Sequence, residues 1–300
     1  MNITAFGVQC RMTSMTDLAN RELLHTSHGR AGARSCDLRK SGMLGSIAGD
    51  IIGSRFEGRA GAPRDFALFH PACRFTDDTV CGLAVANALL GDLDFATSLR
   101  DFVRRHPRRG YGGMFLDWAL SDDAPAYGSW GNGAPMRVAA VGWLARDEIE
   151  ARDFAAAQAA VSHNHPDAIG AAQAVALAIF LARSGAPRAQ LRQRFVEEFG
   201  YDLAPERVLG AGGFDVSAAG TVPPALTAAL EADEWEGAVR TAVCLGGDTD
   251  TLACIAGALA EAIHGLPPNI AKIARDYLTE DLRAVLTKFE AAITPRGATP

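Results

Sequence analysis

Two short acidic clusters, far apart in the sequence, carry the side chains best suited to chemistry. The first is Thr76-Asp77-Asp78-Thr79 and the second is Asp248-Thr249-Asp250-Thr251. Each cluster lies where a loop leads into an apolar stretch with helical periodicity. Carboxylates and hydroxyls are hard oxygen ligands, which suit Mg²⁺, Mn²⁺ or Ca²⁺ rather than Zn²⁺. The pattern therefore predicts that the two clusters form the two halves of one metal site.

Helix capping is the alternative explanation for either cluster taken alone, because Thr and Asp are favoured at the N-caps and in the first turns of helices. The presence of both clusters favours the metal site. Four aspartates that converge on one buried site repel each other, and they need protons or cations to balance their charge. Two divalent cations would balance the four carboxylates.

Three loops contain glycines and lie near predicted helix starts. Their sequences are Gly110-Tyr111-Gly112-Gly113, Gly128-Ser129-Trp130-Gly131-Asn132-Gly133 and Leu245-Gly246-Gly247. Glycine before a helix lets backbone N–H groups approach an anion at the positive end of the helix dipole, so diphosphate is a natural ligand. Each loop taken alone is also explained as a helix connection that needs a positive φ. The sequence has neither a P-loop nor a GxGxxG motif after a strand.

Four further residues are candidates for the site. His163 lies in Ser162-His163-Asn164-His165-Pro166, and it suits ligand contact or a role in loop structure better than metal binding, because the acidic site is already rich in oxygen ligands. Trp130 and Tyr111 either stack on a base or ribose or pack locally. Glu57 is either a surface charge, a gate to the cation site, or a carboxylate that transfers protons.

Helices are predicted almost throughout from residue 43 onward, and they must position these residues. Leu44, Ile47, Ile51 and Ile52 fall on helical spacing, while Gly45, Gly49 and Gly53 form a stripe that lets another backbone approach closely. The other predicted helices run from Asp78 to Leu90, Phe95 to Arg105, Met114 to Leu120, Met136 to Ala145, Asp153 to Val161, Pro166 to Ala182, near Pro187 to Gly200, and Thr251 to His264.

Strand signals are almost absent from the sequence. Only Thr221-Val222 and its neighbours hint at an extended segment, and residues 201 to 224 are interpreted as a long irregular connection. The fold class predicted from this pattern is all-α, in a single compact multi-helix domain.

Composition excludes several classes of protein. The 300 residues are 48% hydrophobic and 21% charged, with a formal net charge of -6, so nothing indicates a nucleic-acid footprint. No uninterrupted apolar run reaches the length of a membrane span. Six cysteines without a CxxC spacing favour reduced thiols over disulfides or a zinc site. We therefore expect a cytoplasmic protein without a membrane partner.

The first 42 residues differ in composition from the rest. They are polar, rich in Arg, Ser and Thr and poor in acids, which predicts a disordered N-terminal extension. Such a bias leaves organellar targeting or export by a secretion system open. A misassigned start codon, with Met43 as the true first residue, is the other explanation. The predicted domain covers residues 43–292, and residues 293–300 form a tail.

Six stretches, in this order along the chain, resemble the motifs of the ADP-ribosylglycohydrolase family. They are Met43 to Gly58 (MLGSIAGDIIGSRFEG), Phe75 to Thr79 (FTDDT), Arg109 to Gly113 (RGYGG), Ser129 to Arg137 (SWGNGAPMR), Ser162 to Pro166 (SHNHP) and Leu245 to Thr251 (LGGDTDT). The family includes dinitrogenase-reductase-activating glycohydrolase and the ADP-ribosylarginine and ADP-ribosylserine hydrolases. The resemblance covers about residues 43 to 290. Pro135 departs from the pattern, since a small non-proline residue is expected there.

The resemblance implies a role for each matching residue. The implied metal ligands are Thr76, Asp77 and Asp78 on one side of a metal pair and Asp248, Asp250 and Thr251 on the other. The implied contacts along ADP-ribose are Gly112, Gly113, Ser129, Gly131, Asn132 and Gly133, with His163 beside the ligand. Glu57 becomes the carboxylate of the first motif, and Glu57, Asp78 and Asp248 are the candidate catalytic groups.

The function implied by the resemblance is Mg²⁺-dependent hydrolysis of the N- or O-glycosidic bond between ADP-ribose and a modified arginine or serine side chain. The expected cofactors are two Mg²⁺ ions, or two Mn²⁺ ions. The expected partner is an ADP-ribosylated protein or an ADP-ribose conjugate, and the protein is expected to be a monomer. One alternative is hydrolysis of a free ADP-ribose conjugate or another nucleoside-linked glycoside. The other is an ADP-ribose-binding, immunity or structural protein without turnover.

Overall fold

Helices dominate the structure, a computed structural model that describes residues 42–210 and 213–294. The described part has no strand, only isolated β-bridges between Arg59 and Gly247 and between Gly131 and Ser217. Its helices, in chain order, are α1 (Leu44–Gly53), α2 (Asp77–Leu90), α3 (Phe95–Arg105), α4 (Gly113–Leu120), α5 (Ala139–Leu144), α6 (Glu148–Ala160), α7 (Pro166–Arg183), α8 (Arg188–Phe199), α9 (Pro205–Val208), α10 (Ala218–Glu231), α11 (Trp235–Cys244), α12 (Thr249–His264), α13 (Pro268–Tyr277) and α14 (Glu280–Ile293). The predicted all-α fold is confirmed.

The ends of the chain lie largely outside this description. Residues 1–41 of the predicted extension and residues 295–300 of the predicted tail are not among the described residues. The described residues belong to one compact unit, Cys36–Pro300. The domain boundaries at residues 43 and 292 therefore stay predictions.

Helices α1 and α12 pack against each other with their backbones in contact, and glycine makes this possible. All ten residues of α1 are buried. A Cβ atom at Gly49 would lie 2.0 Å from the Ala253 carbonyl oxygen, and one at Gly53 would lie 2.3 Å from the Thr249 carbonyl oxygen. Any side chain here would collide with the α12 backbone. The predicted role of the glycine stripe is confirmed, and it places the end of α1 beside the start of α12.

Helix α7 illustrates how apolar the interior is. It is the one described helix whose length and mean hydropathy, 1.3, would allow it to cross a membrane. In the structure it packs against α5, α6, α10 and α12, and its buried face is made largely of alanines. The interior of the domain accommodates the apolar side chains of α7.

The predicted irregular connection over residues 201 to 224 is wrong. Helix α9 lies inside it, and α10 begins at Ala218, so that Thr221 and Val222 are helical rather than extended. The Ser217 side chain caps α10 by accepting a hydrogen bond from the Gly220 N–H, at 2.9 Å. Pro223 and Pro224 lie within the helix, where they remove two backbone donors. Burial of the apolar face of α10 against α12 and α11 outweighs the low helix propensity of proline.

Two other helix starts differ from the prediction by three residues or more, and the remaining predicted starts differ by at most two. The helix predicted from Met136 begins only at Ala139, because residues 132–137 form turns around Pro135. The helix predicted from Asp153 begins at Glu148. Asp147 caps it, since its carboxylate accepts a hydrogen bond from the Glu150 N–H at 2.8 Å. The turns at 132–137 place this segment against a cavity that Asp248 and Asp250 also line.

Candidate active site

The two acidic clusters meet because α2 and α12 begin at the same place in the fold. Asp78 lies in the first turn of α2 and Asp250 in the first turn of α12. Asp50 reaches the same place from α1. Carboxylate oxygens of Asp50, Asp78 and Asp250 lie within 4.8 Å of one another, and all three residues are buried. The structure thus brings the predicted clusters together and adds a third carboxylate from a helix that neither cluster includes.

Sequence reasoning missed Asp50. Its carboxylate accepts hydrogen bonds from the Thr76 N–H (2.9 Å), the Thr76 hydroxyl (2.7 Å), the Thr79 N–H (3.2 Å) and the Thr79 hydroxyl. Burial raises the pKa of Asp50, although these hydrogen bonds lower it. The signal in the sequence was a single carboxylate inside the apolar, glycine-striped helix, because a charge in such a place needs partners. Asp50 ties the end of α1 to the start of α2.

Asp78 has an unused oxygen at the centre of the cluster. Its Oδ1 is buried and has no hydrogen-bond partner among the described residues. Its Oδ2 lies 3.3 Å from the Thr76 hydroxyl and 3.4 Å from the Thr251 hydroxyl. Burial, followed by the charge of Asp50, raises the pKa of Asp78 well above its ordinary value. Burial and the charge of Asp78 do the same to Asp250.

These observations fit a divalent cation. A buried carboxylate oxygen without a donor needs a partner, and a hard cation is one that can satisfy several carboxylates at once. The positive charge of a cation would also favour the ionised form of each carboxylate, in place of the protons that burial otherwise retains. The chemistry of the donor set therefore agrees with the predicted metal site, whereas helix capping alone leaves the Oδ1 atom of Asp78 unexplained.

A cavity of about 320 Å³ opens beside the acidic cluster. Most of the residues predicted to bind metal or substrate line this cavity. They come from segments that are distant from one another in the sequence. The predicted residues in its lining are Glu57, Asp77, Asp78, Gly112, Gly113, Ser129, Gly131, Asn132, Gly133, His163, Asp248, Asp250 and Thr251. The cavity joins the first two glycine-bearing loops to the carboxylates, whereas none of Leu245, Gly246 and Gly247 lines it.

Three predicted site residues do not line this cavity. The Thr76 hydroxyl donates a hydrogen bond to Asp50. The Tyr111 hydroxyl donates to the His106 carbonyl at 2.8 Å, and the Tyr111 ring packs locally against Phe115. Trp130 is 54% exposed and lies outside the lining. The other lining residues, which were not among the predicted site residues, are Gly110, Met114, Phe115, Tyr127, Met136, Arg137, Phe214 and Val216. Most of them are apolar or aromatic, so residue type alone carried no signal.

Asn132 connects a glycine-bearing loop to the second acidic cluster. Its Nδ2 atom donates to Asp248 Oδ2 at 2.7 Å and to the Thr221 hydroxyl at 3.0 Å. Its backbone N–H donates to the Val216 carbonyl at 2.9 Å. These bonds fix the side chain, so Asn132 orients the carboxylate of Asp248.

Glu57 is the most exposed carboxylate of the cavity, and Asp77 is only partly exposed. The side chain of Glu57 is 38% exposed, and its Oε2 lies 3.8 Å from an Arg74 guanidinium nitrogen. Burial and the charge of Asp248 raise the pKa of Glu57, whereas Arg74 lowers it. Burial also raises the pKa of Asp77, with the charges of Asp50 and Asp248 adding to the effect. Carboxylates with a raised pKa in a cavity are suited to exchanging protons near neutral pH.

His163 lies directly under the loop that runs from Gly128 to Gly133. It is buried, and a Cβ atom at Gly133 would approach its Nε2 to 2.6 Å. Burial, and then the nearby charge of Arg137, lower the pKa of His163 to about 2, so the ring is neutral at physiological pH. The Tyr127 ring meets the imidazole edge-on, with centroids 5.8 Å apart. A neutral imidazole in this position can form a hydrogen bond with a bound ligand without adding charge.

Comparison with known proteins identifies one family. A statistical model of the ADP-ribosylglycohydrolase family matches residues 36–296. The chain is 26% identical to "ADP-ribosylhydrolase ARH3" of Danio rerio, over 76% of this chain and 82% of that relative. It is 27% identical to "ADP-ribosylarginine hydrolase Tri1" of Pseudomonas putida, over 79% of this chain and 74% of that relative.

A solved structure agrees with the sequence relatives. It is described as "ADP-ribosylglycohydrolase-related protein complex", and it matches this fold with a TM-score of 0.66 and 27% identity, over 86% of this chain and 98% of that one. The curated relatives are named as hydrolases, which supports an enzyme rather than a structural protein. The family match spans the acidic clusters, the glycine-bearing loops and the cavity between them. The chain therefore belongs to the ADP-ribosylglycohydrolase family and is a glycohydrolase.

Proposed function

We propose that this protein is a Mg²⁺-dependent hydrolase of the glycosidic bond between ADP-ribose and a modified arginine or serine side chain. The observation that carries the proposal is the unused, buried oxygen of Asp78 next to Asp50 and Asp250, beside a cavity lined by glycine-bearing loops. A carboxylate-rich centre suits a hard cation, and exposed backbone N–H groups suit a diphosphate.

The residues proposed to hold the cations are those predicted from the sequence: Thr76, Asp77, Asp78, Asp248, Asp250 and Thr251. Two Mg²⁺ ions, or two Mn²⁺ ions, are proposed. Asp50 is not proposed as a cation ligand, because its carboxylate already accepts four hydrogen bonds. We propose that it orients the start of α2. Bound cations would supply positive charge that orients ribose hydroxyls and lowers the pKa of a water molecule.

The glycine-bearing loops are proposed to bind the diphosphate and the ribose. No side chain caps the N-terminus of α4, which begins at Gly113, so the first backbone N–H groups of this helix remain available to an anion. The loop from Gly128 to Gly133 faces the same cavity, with His163 beneath it. Binding energy from the diphosphate would then position the anomeric carbon of the distal ribose near the carboxylates.

Glu57 is proposed to transfer the proton during hydrolysis. Glu57 takes a proton from the attacking water, whose oxygen forms a bond to the anomeric carbon while the bond to the side-chain nitrogen or oxygen breaks. Glu57 then returns that proton to the leaving group. The exposure of Glu57 to the cavity and its raised pKa support this role. Asp248, held by Asn132, is the other candidate for the base.

The test is a panel of defined substrates. An ADP-ribosylarginine peptide, an ADP-ribosylserine peptide and free O-acetyl-ADP-ribose are each incubated with the enzyme and Mg²⁺, and the initial rate of ADP-ribose release is measured. We expect one of the two peptides to have a kcat/KM at least about tenfold above that of the free conjugate, which corresponds to about 1.4 kcal/mol of discrimination.

Two outcomes would contradict the proposal. Turnover of the free conjugate alone would reassign the enzyme to small-molecule conjugates, and stoichiometric binding of ADP-ribose without release would exclude hydrolysis of these substrates. Asp78→Asn should abolish the release of ADP-ribose from every substrate of the panel. Asp233→Asn, whose side chain is 97% exposed, is the matched control and should leave the rates unchanged.

A further inference from the structure

Arg137 is a buried cation that touches neutral groups. It is 0% exposed, its Nε donates to Gln158 Oε1 at 2.6 Å, and its Nη2 donates to the Gln158 carbonyl at 2.6 Å. Its Nη1 is buried and has no hydrogen-bond partner within the described ranges. Burial lowers the pKa of Arg137 only to about 10, so the guanidinium remains charged at neutral pH. Burial of this charge is costly, because desolvation removes its interaction with water.

The Ser162 hydroxyl connects this cation to His163. Its Oγ accepts a hydrogen bond from Arg137 Nη2 at 3.0 Å and lies 2.8 Å from His163 Nδ1. A guanidinium has donors only, so Ser162 must accept from Arg137 and keeps its own hydrogen for another partner. The positive charge polarises the hydroxyl and makes it a stronger donor. Among the side chains in contact with the Ser162 Oγ, His163 Nδ1 is the one that can accept this hydrogen.

The position of the other imidazole nitrogen completes the chain of contacts. If Nδ1 accepts a hydrogen bond, a neutral imidazole carries its single proton on Nε2. Nε2 lies under the loop, where added Cβ atoms would lie 2.6 Å away at Gly133 and 3.9 Å away at Gly131. His163 and both glycines line the cavity. An Nε2–H group there is placed to donate to an oxygen atom of a molecule held by the loop.

We propose that Arg137 is a positioning residue that acts through the Ser162 hydroxyl to hold His163 in its Nε2-protonated form, which donates a hydrogen bond to the bound ligand. The identity of that ligand as ADP-ribose rests on the proposed function. The tautomer itself does not, since it follows from contacts within the protein.

The tautomer is measured by nitrogen NMR of the ¹⁵N-histidine-labelled protein, without ligand and without turnover. The His163 signals are expected to show a protonated Nε2 and an unprotonated Nδ1. Ser162→Ala removes the hydroxyl donor and should produce a mixture of tautomers. Arg137→Lys keeps the positive charge but loses the forked geometry, and an intermediate shift toward the mixture is expected. Ser184→Ala is the matched control, since the Ser184 hydroxyl donates to the Phe180 carbonyl on the exposed end of α7.

Affinity for free ADP-ribose provides the second measurement. Ser162→Ala should raise the Kd by about tenfold, the effect of losing one well-oriented hydrogen bond, and should raise KM far more than it changes kcat. Ser184→Ala should leave the Kd unchanged.

The outcomes separate this inference from the proposed function. A protonated Nδ1 in the wild-type protein, or unchanged tautomer and Kd in Ser162→Ala, would overturn the inference even if hydrolysis is observed. A protonated Nε2 that is lost in Ser162→Ala would support the role of Ser162, and a shift in Arg137→Lys would support that of Arg137, even if no ADP-ribosyl substrate is hydrolysed.

Discussion

Burial controls the chemistry of the acidic cluster at the scale of single residues. Desolvation is the largest cause of the raised pKa at Asp50, Asp77, Asp78 and Asp250, and the mutual repulsion of their charges adds to it at the last three. Protons and a bound cation would therefore compete for the same oxygens. This competition makes the metal site testable through stability as well as activity.

Stabilisation by Mg²⁺ should increase with pH. The pKa values of Asp77, Asp78 and Asp250 are higher in the folded protein than in the unfolded chain. The folded protein therefore binds more protons than the unfolded chain. Its unfolding free energy falls as the pH rises through the folded-state pKa values. A cation replaces these protons and removes this loss. Mg²⁺ should therefore raise the melting temperature by several degrees more at about pH 8 than at about pH 6. Thermal unfolding in EDTA and in Mg²⁺ measures the difference, and equal shifts at both pH values would argue against the cluster as the binding site.

Glu57→Gln should separate proton transfer from binding. The substitution keeps the size of the side chain and removes its ability to take a proton, so kcat should fall by about 10²-fold or more while the Kd for ADP-ribose changes by less than about threefold. Single-turnover kinetics and calorimetry with ADP-ribose measure the two quantities. Equal losses in both would reassign Glu57 to ligand binding. Glu206→Gln, on the exposed helix α9, is the control.

The residue types in the sequence predicted the carboxylates of the two clusters. They did not predict which residues from other helices contact the site. Asp50 receives its hydrogen bonds from Thr76 and Thr79, and such a contact between distant segments exists only after α1 and α2 have packed. Arg137 was part of a recognised motif, yet its use depends on burial against Gln158 and Ser162. Partners across helices are decided by packing, which a single sequence does not display.

Close packing of α1 and α12 positions the site at the scale of secondary structure. The stripe of small residues predicted this approach, because spacing of glycines along one helical face is visible in the sequence. Local pattern fails at α10, because the irregular connection predicted over residues 201 to 224 contains the first half of this helix, with Pro223 and Pro224 inside it. Proline is a local signal, and the burial of Val222, Ala225 and Leu226 overrides it.

Gly49→Ala tests the packing of α1 against α12. The new Cβ would lie 2.0 Å from the Ala253 carbonyl oxygen, so the helices must separate, and we expect the unfolding free energy to fall by about 1–3 kcal/mol or more. Because Asp50 is on the same helix as Gly49, affinity for Mg²⁺ should fall as well. Urea denaturation and metal calorimetry measure these effects.

Gly170→Ala is the matched control for this substitution. Gly170 lies inside α7, and no atom outside its own helix backbone comes within 4 Å of an added Cβ. Alanine should therefore stabilise α7 by up to about 1 kcal/mol through its better helix propensity. If Gly49→Ala behaved like Gly170→Ala, the close approach of α1 and α12 would not be required for stability.

The whole molecule combines an apolar helical interior with a polar cavity that contains most of the predicted site residues. The family match covers residues 36–296, so it extends a few residues beyond the predicted domain at each end. Helix content, the order of the motifs and the glycine stripe could be predicted from the sequence because they depend on local pattern. The cavity could not, since loops distant in sequence form its walls.

A protein that begins at Met43 tests the proposed independence of the N-terminal 42 residues. Their polar, acid-poor composition predicts little contribution to folding, so the melting temperature and the hydrolytic rate should match those of the full chain. A protein that begins at Cys36 retains the whole family match and serves as the control. Lower stability of both shortened proteins would contradict the predicted disorder, and a higher rate would indicate that the extension inhibits the site.

The most direct test of the metal-dependent site is the release of ADP-ribose by enzyme stripped with EDTA, before and after Mg²⁺ is restored. The account predicts no release from the stripped enzyme and full recovery with Mg²⁺. Asp77→Ala and Asp248→Ala should stay at least about 100-fold below wild type at any Mg²⁺ concentration, with unchanged helical circular dichroism, while the exposed control Asp233→Ala recovers fully. Full activity of the stripped enzyme, or wild-type turnover by Asp77→Ala or Asp248→Ala, would contradict it.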